Sequence, residues 1–379
     1  MSRSGENQTV LASLRLRWGV LLLAGAALIL GGELLFSRVW QPDLARTWAL
    51  LGALALAYQL ARLWPDLALN HRVDETRLLP TLGLGSVVSL ARLLAFALLA
   101  GFLAVPLPPG FYAWLPVALN LIANFSDFFD GYLARISDHV TALGQKLDMD
   151  LDGRGLLVVT LLAYQYGTVP WWFLPVGFAR YAFLLGLWWR ERQGKPIYAL
   201  APSNARRVFA GVQMGFATAM LAPAFAPPET TLAATLFMLP FLNNFLVDWW
   251  QVSGRVGLQA RWSAVGARFW RAAAGWPAAA LRIVLALGLL SLLRQPISPV
   301  FAAIELVTAI ALALGAAGRV AATTALITLG FRLSFTALGP VESVLLIGLT
   351  AQMFLGTGPY SLWRPEDSWI TRRAGERLA

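Results

Sequence analysis

Of the 379 residues, 58% are hydrophobic and 13% charged, and 30 Lys and Arg against 20 Asp and Glu give a net charge of +10. A soluble domain carries roughly 25% charged residues, so this composition, with a mean hydropathy of +0.62, excludes one and points to a polytopic helical membrane protein. The chain has no cysteine, which removes disulfides, thiolate metal sites and a catalytic Cys. The basic excess sits mostly in short loops between apolar runs, where it sets topology and attracts anionic headgroups; nucleic acid is not the expected partner.

The first apolar run, from Trp18 to Phe36 behind Arg3, Arg15 and Arg17, is too long for the core of a secretion signal. No small-residue cleavage site follows it, so it is predicted to be a transmembrane helix. With about 20 apolar residues per helix as the ruler, the all-α chain is expected to cross the membrane about twelve times. The spans fall near residues 18–36, 46–64, 84–105, 111–134, 143–165, 170–189, 206–226, 231–251, 276–294, 298–316, 319–337 and 341–357. The loops VPLPPG (Val105 to Gly110), YQYGTVP (Tyr164 to Pro170) and APAFAPPE (Ala222 to Glu229) hold no Lys or Arg. The alternating loops are basic, with Arg190, Arg192, Lys195, Arg206 and Arg207 in one and Arg255, Arg261, Arg268 and Arg271 in another. The positive-inside rule puts the basic set, and both termini, on the cytoplasmic side of an inner membrane. Arg38, Arg46 and Arg294 run against that pattern.

Between the fourth and fifth spans, DFFDGYLARISDHVTALGQKLDMDLD (Asp127 to Asp152) packs six aspartates into 26 residues. The counter-charges within the segment are Arg135, Lys146 and His139. Asp127 and Asp130 are three apart, and Asp148 and Asp152 four apart, so each pair shares one face of its helix. Two helices meeting at a short turn can therefore aim four carboxylates at one spot. Anions that close repel by several kcal/mol unless cations intervene, and an all-oxygen ligand set suits Mg²⁺, Mn²⁺ or Ca²⁺. Gly131 leaves room beside Asp130 for a bulky ligand, and Arg135, one turn on, is placed to meet a phosphate oxygen. An ion-coupling site of a transporter, or a non-catalytic membrane protein, is the rival reading from another class.

The spacing resembles the signature of the CDP-alcohol phosphotransferases: Asp, two residues, Asp-Gly, two residues, Ala-Arg, eight residues, Gly, three residues, Asp, three residues, Asp. Asp127, Asp130, Gly131, Ala134, Arg135, Gly144, Asp148 and Asp152 fill every specified place. The resemblance covers about residues 80–252 and implies a six-helix core around a polar cavity open to the cytoplasm. It further implies a transferase in phospholipid synthesis, in which an alcohol attacks a CDP-linked donor and releases CMP. Carried over, it makes Asp127, Asp130, Asp148 and Asp152 ligands of two divalent cations, Mg²⁺ or Mn²⁺. Asp152 is also the base for the attacking hydroxyl, and Gly131, Ala134, Arg135 and Gly144 line the CDP pocket. Asp138 and Asp150 fall outside the pattern.

The acceptor is less determined, because LDMDLDGRG (Leu147 to Gly155) fits no branch of the family cleanly. Arg180 lies near the middle of a span, where a charge is costly unless it faces a polar cavity. In relatives with a phosphorylated acceptor, basic residues on later helices hold that phosphate. Arg180, with Arg154, Arg206 and Arg207, is expected to form such a site for glycerol phosphate or inositol phosphate. CDP-diacylglycerol is the expected donor; an unphosphorylated acceptor, or a CDP-headgroup donor with a lipid alcohol, is the alternative. The chain then divides into residues 1–79 with two added helices, the core at 80–252, and a four-helix region at 253–379. In the last, IELVTAIALALGAAGRVAA (Ile304 to Ala322) and GTGPYSL (Gly356 to Leu362) look similar to DoxX-type membrane proteins. A scaffold, lipid-access or homodimer-contact role is expected there.

Overall fold

The computed structural model describes residues 3–366 apart from 74, 201, 202 and 296. Among the described residues the fold is all-α, with thirteen helices and no sheet. They form two compact units, one holding residues up to Tyr166 with Ala217–Pro223, the other Gly167–Phe216 and the chain from Ala224 onward.

The first unit contains α1 (Arg3–Val39), α2 (Pro42–Asp66), α3 (Leu84–Ala100), α4 (Leu115–Ile136) and α5 (Ala142–Gln165). Proline in the first turn starts α2 and α4, where its missing N–H costs nothing. Thr141 caps α5 by accepting from the Gly144 N–H at 3.0 Å. The centre of the unit is α3, which packs against α2, α4 and α5. Small residues make those contacts close. A Cβ at Gly85 would overlap the Asp130 carbonyl and meet Ala134, and one at Gly155 would overlap the Phe96 ring. Thus α4 and α5 both approach α3 at the level of the aspartate stretch.

The second unit contains α6 (Pro175–Arg192), most of α7 (Asn204–Ala219), α8 (Glu229–Val252), α9 (Val256–Ala273) and α10 (Trp276–Leu292). It ends with α11 (Pro299–Leu314), α12 (Gly318–Leu333) and α13 (Pro340–Leu355). Helices α10 to α13 pack on one another. A buried ion pair ties α11 to α12: Arg332 Nη1 donates to both Glu305 oxygens at 3.0 Å, and its Nη2 to the Leu292 carbonyl at 2.7 Å.

A helix occupies each of the twelve expected spans. By length and composition, three are both long and apolar enough to cross a membrane: α1 from Asn7, α2 with the turn to Leu69, and α8. α9 and α10 pass that test together, but their axes bend by 53° at the joint, and α3, α11 and α13 are shorter apolar helices. These apolar helices mark a membrane protein. One element departs from the sequence reading: residues 256–273, expected as a basic loop, are the helix α9. Its apolar residues Leu258, Trp262, Val265 and Phe269 recur at helical spacing, while Arg261, Arg268 and Arg271 make it too polar to register as a span.

Candidate functional site

Helix α4 presents Asp127 and Asp130, and α5 presents Asp148 and Asp152. One oxygen each from Asp127, Asp148 and Asp152 lie within 4.8 Å of one another. Between them stands Arg92 of α3. Its Nη1 donates to Asp127 Oδ1 at 2.6 Å and to Asp148 Oδ1 at 3.1 Å, and its Nη2 donates to Asp152 Oδ1. Asp130 Oδ2 lies 4.0 Å from the same Nη1 and accepts from Ser89 Oγ at 2.8 Å. The guanidinium side chain is 2% exposed, whereas Asp127, Asp148 and Asp152 are 37%, 46% and 36% exposed. The cluster therefore has a closed floor, formed by Arg92, Ser89 and Asp130, and an open side formed by three carboxylates.

Arg92 is absent from the sequence-based set of site residues, and it supplies a cation to all four motif aspartates. The counter-charges expected from within the segment go elsewhere. Lys146 Nζ pairs with Asp66 Oδ1 at 2.6 Å, and His139 Nε2 lies 3.3 Å from the Thr81 carbonyl. A signal for Arg92 was present: it is the lone charge in the apolar helix LGSVVSLARLLAFALLA, the argument of depth already applied to Arg180.

The remaining motif residues lie close by in sequence and on the same helices. The Arg135 guanidinium folds back along α4, with Nη1 3.0 Å from where a Gly131 Cβ would stand. Ala134 faces Gly85, and Gly144 forms the first turn of α5 beneath Thr141. Asp138 pairs with Arg72 at 3.3 Å. Arg154 pairs with Asp150 at 3.2 Å, one turn back on α5. Arg180, Arg206 and Arg207 belong to the second unit. Arg180 is half-buried on α6 and Arg207 is exposed. Arg206 makes a two-pronged pair with Asp248 of α8, Nε to Oδ2 at 2.9 Å and Nη2 to Oδ1 at 3.0 Å. Asp248 is a partner the sequence reading did not anticipate.

The donor set fits a hard divalent cation. Ligand oxygens at about 2.0–2.6 Å from one ion lie at most about 4–5 Å apart, the separation found for Asp127, Asp148 and Asp152. The four carboxylates and one guanidinium leave a formal charge of −3 (four negative, one positive), which divalent cations can offset. Such a site can hold a cation against an anionic ligand on the open side, with a carboxylate beside it to accept a proton.

Comparison with known proteins bears on this arrangement. Residues 82–242 match the family model described as CDP-alcohol phosphatidyltransferase. Proteins of Mycobacterium tuberculosis and Mycobacterium bovis named "Putative cardiolipin synthase" are 29% identical over 140 residues, 36% of this chain and 65% of theirs. A Cereibacter sphaeroides protein named "CDP-diacylglycerol--glycerol-3-phosphate 3-phosphatidyltransferase" is 36% identical over 64 residues, 17% of this chain and 29% of that one. The chain thus spans 65% of the length of the mycobacterial relatives. No solved structure matches it. The matched segment, where the chain is similar to the CDP-alcohol phosphatidyltransferases, contains Arg92 and all four motif aspartates.

Proposed function

We propose that this protein is a membrane-embedded CDP-alcohol phosphotransferase of phospholipid synthesis, with CDP-diacylglycerol as donor and a phosphorylated polar alcohol such as glycerol phosphate as acceptor. The observation that carries the reading is the convergence of Asp127, Asp130, Asp148 and Asp152 around the Arg92 guanidinium. The name of the Cereibacter relative supports both the donor and the acceptor.

In this reading Asp127, Asp130, Asp148 and Asp152 hold two divalent cations, Mg²⁺ or Mn²⁺, which neutralise the donor's diphosphate and make CMP a better leaving group. Gly131, Ala134, Arg135 and Gly144 cradle the CDP moiety. The acceptor oxygen attacks the phosphorus that carries the diacylglycerol, and the bond from that phosphorus to the bridging oxygen breaks. CMP departs with the bonding electrons, and the hydroxyl proton passes to Asp152. Asp152 lies on the open side of the cluster, where an acceptor can reach it. Arg92 closes the floor, fixing the carboxylates of two helices in one geometry. Arg180 receives the acceptor phosphate, with Arg154, Arg206 and Arg207 as further basic candidates.

The wider organisation belongs to the same proposal: twelve spans, a six-helix core at residues 80–252, and flanking regions at 1–79 and 253–379 that serve as scaffold or homodimer contact. The basic loops, by the positive-inside rule, support a cytoplasmic face for the termini and the active site. The test is CMP release by the purified protein given CDP-diacylglycerol and glycerol 3-phosphate. Turnover should require Mg²⁺ or Mn²⁺ and stop in EDTA. Full turnover in excess chelator would remove the metal assignment, and preference for serine or free inositol would remove the phosphorylated acceptor.

A further inference from the structure

A second polar feature shares no residue with the aspartate cluster. Within the second unit, a pocket of about 460 Å³ opens where α9 runs into α10. That size falls among small-molecule pockets, which span about 300–1,000 Å³. It is bounded by Arg271 at the end of α9, by Gly275 at the joint, by the turn from Gly356 to Pro359 after α13, and by Arg364. Gly356 and Gly358 hold φ of 85° and 73°, so this turn needs glycine and offers backbone, not side chains, to the pocket. Arg282 of α10, 2% exposed, braces the turn by donating Nη2 to the Pro359 carbonyl at 3.0 Å and the Tyr360 carbonyl at 3.2 Å. Its Nε and Nη1 find no acceptor among the described residues. Among those residues neither Arg271 nor Arg364 forms an ion pair. The nearby acid, Glu366, is 3% exposed and turned inward, accepting from the Arg319 N–H at 3.1 Å and from Thr357 Oγ1. The pocket is therefore cationic.

Its surroundings indicate what reaches it. Helix α9 buries none of its residues. Leu258, Trp262, Val265 and Phe269 form one exposed apolar stripe, and Arg261, Arg268 and Arg271 form a basic stripe beside it. A helix with that division lies in the headgroup region of a membrane and prefers anionic lipid. The 53° bend from α10 is the geometry of a helix that turns out of a span and along the surface. Trp276, Tyr360 and Trp363, near the pocket in sequence, are 74%, 88% and 61% exposed, as aromatic rings at headgroup depth are.

We propose that α9 lies in the plane of the membrane interface and that the pocket at its C-terminal end binds the headgroup of an anionic phospholipid, with the phosphate held between Arg271 and Arg364. Two guanidiniums that form no ion pair among the described residues favour a net negative headgroup; a choline or ethanolamine ammonium would meet like charge. The test titrates the full-length protein in detergent with phosphatidylglycerol, phosphatidylcholine or inorganic phosphate, and counts bound molecules by native mass spectrometry. Phosphatidylglycerol should bind at least 10-fold more tightly than phosphatidylcholine. The double variant Arg271→Ala/Arg364→Ala should lose at least 10-fold in phosphatidylglycerol affinity, and Arg271→Lys/Arg364→Lys should retain most of it. Unchanged phosphatidylglycerol affinity in the alanine variant overturns the proposal. So does equal binding of the two lipids. Inorganic phosphate binding as tightly as phosphatidylglycerol would make this a soluble-anion site and overturn the lipid assignment. If the alanine variant does not fold, the wild-type comparison of the three probes decides alone.

Discussion

Replacing Arg92 by methionine removes the cation from the aspartate cluster while keeping most of the side chain's length. The formal charge of the four carboxylates with this guanidinium falls from −3 to −4 when it is removed. Breaking a buried ion pair by removing one partner costs about 3–5 kcal/mol. Here the guanidinium is 2% exposed but three of the carboxylates are 36–46% exposed, so water takes over part of their solvation. A loss of about 2–4 kcal/mol in the absence of metal is the reasoned figure, placed below the fully buried case. At about 2–4 °C per kcal/mol for a unit of this size, the melting temperature in detergent should fall by roughly 4–16 °C. Divalent cations should then stabilise the variant more than the wild type, because in the variant the ion meets no competing guanidinium among the carboxylates. The assay is intrinsic tryptophan fluorescence during thermal unfolding, in EDTA and in millimolar Mn²⁺. A melting temperature in EDTA within a degree of wild type would refute the electrostatic role of Arg92. A Mn²⁺-induced shift no larger than that of wild type would refute the competition.

Three further outcomes follow from the site. Asp127→Asn or Asp148→Asn should weaken Mn²⁺ binding and turnover together, since each removes a formal charge from the ligand set; Mn²⁺ titration followed by paramagnetic resonance checks this. Asp152→Asn should lower kcat by about 10²–10⁴-fold with a smaller effect on CDP affinity, as loss of a positioned base does, and a wild-type kcat would end that assignment. Arg180→Ala should raise the acceptor KM roughly 30-fold, the equivalent of about 2 kcal/mol for a lost charge-assisted contact, with little change for the donor. Equal loss for both substrates would make Arg180 a structural residue.

The aspartate geometry was legible in sequence because it is local. Spacings of three and four within single helices fix which carboxylates share a face, and the short link from Ile136 to Ala142 lets α4 and α5 present them together. Arg92 was harder to place because its partners lie 35 to 60 residues away, through packing that depends on Gly85 and Gly155. Neither glycine belongs to the motif. Asp248 as the partner of Arg206 escaped notice for the same reason, being 42 residues distant. Helix α9 was missed by a different route. A ruler that counts apolar residues per span rejects a sequence with three arginines in eighteen residues, yet its stripe at 258, 262, 265 and 269 has the helical period. A search for spans and a search for helices are different questions.

The position of Arg92 also bears on why the acids can be gathered before any cation arrives. Four carboxylates converging on one opening repel by several kcal/mol at an intermediate dielectric, and that repulsion would push α4 and α5 apart. A guanidinium anchored on α3 offsets part of it from the floor, using donors fixed in a plane that can serve several carboxylates at once. It does not neutralise the cluster. The formal count stays negative, and the exposed carboxylates lie on the open side. Full neutralisation by a second basic residue would stabilise the metal-free fold further but would weaken the attraction for divalent ions. Partial compensation from beneath keeps the helices together and leaves the open face electronegative, which is the condition a metal-dependent diphosphate site requires.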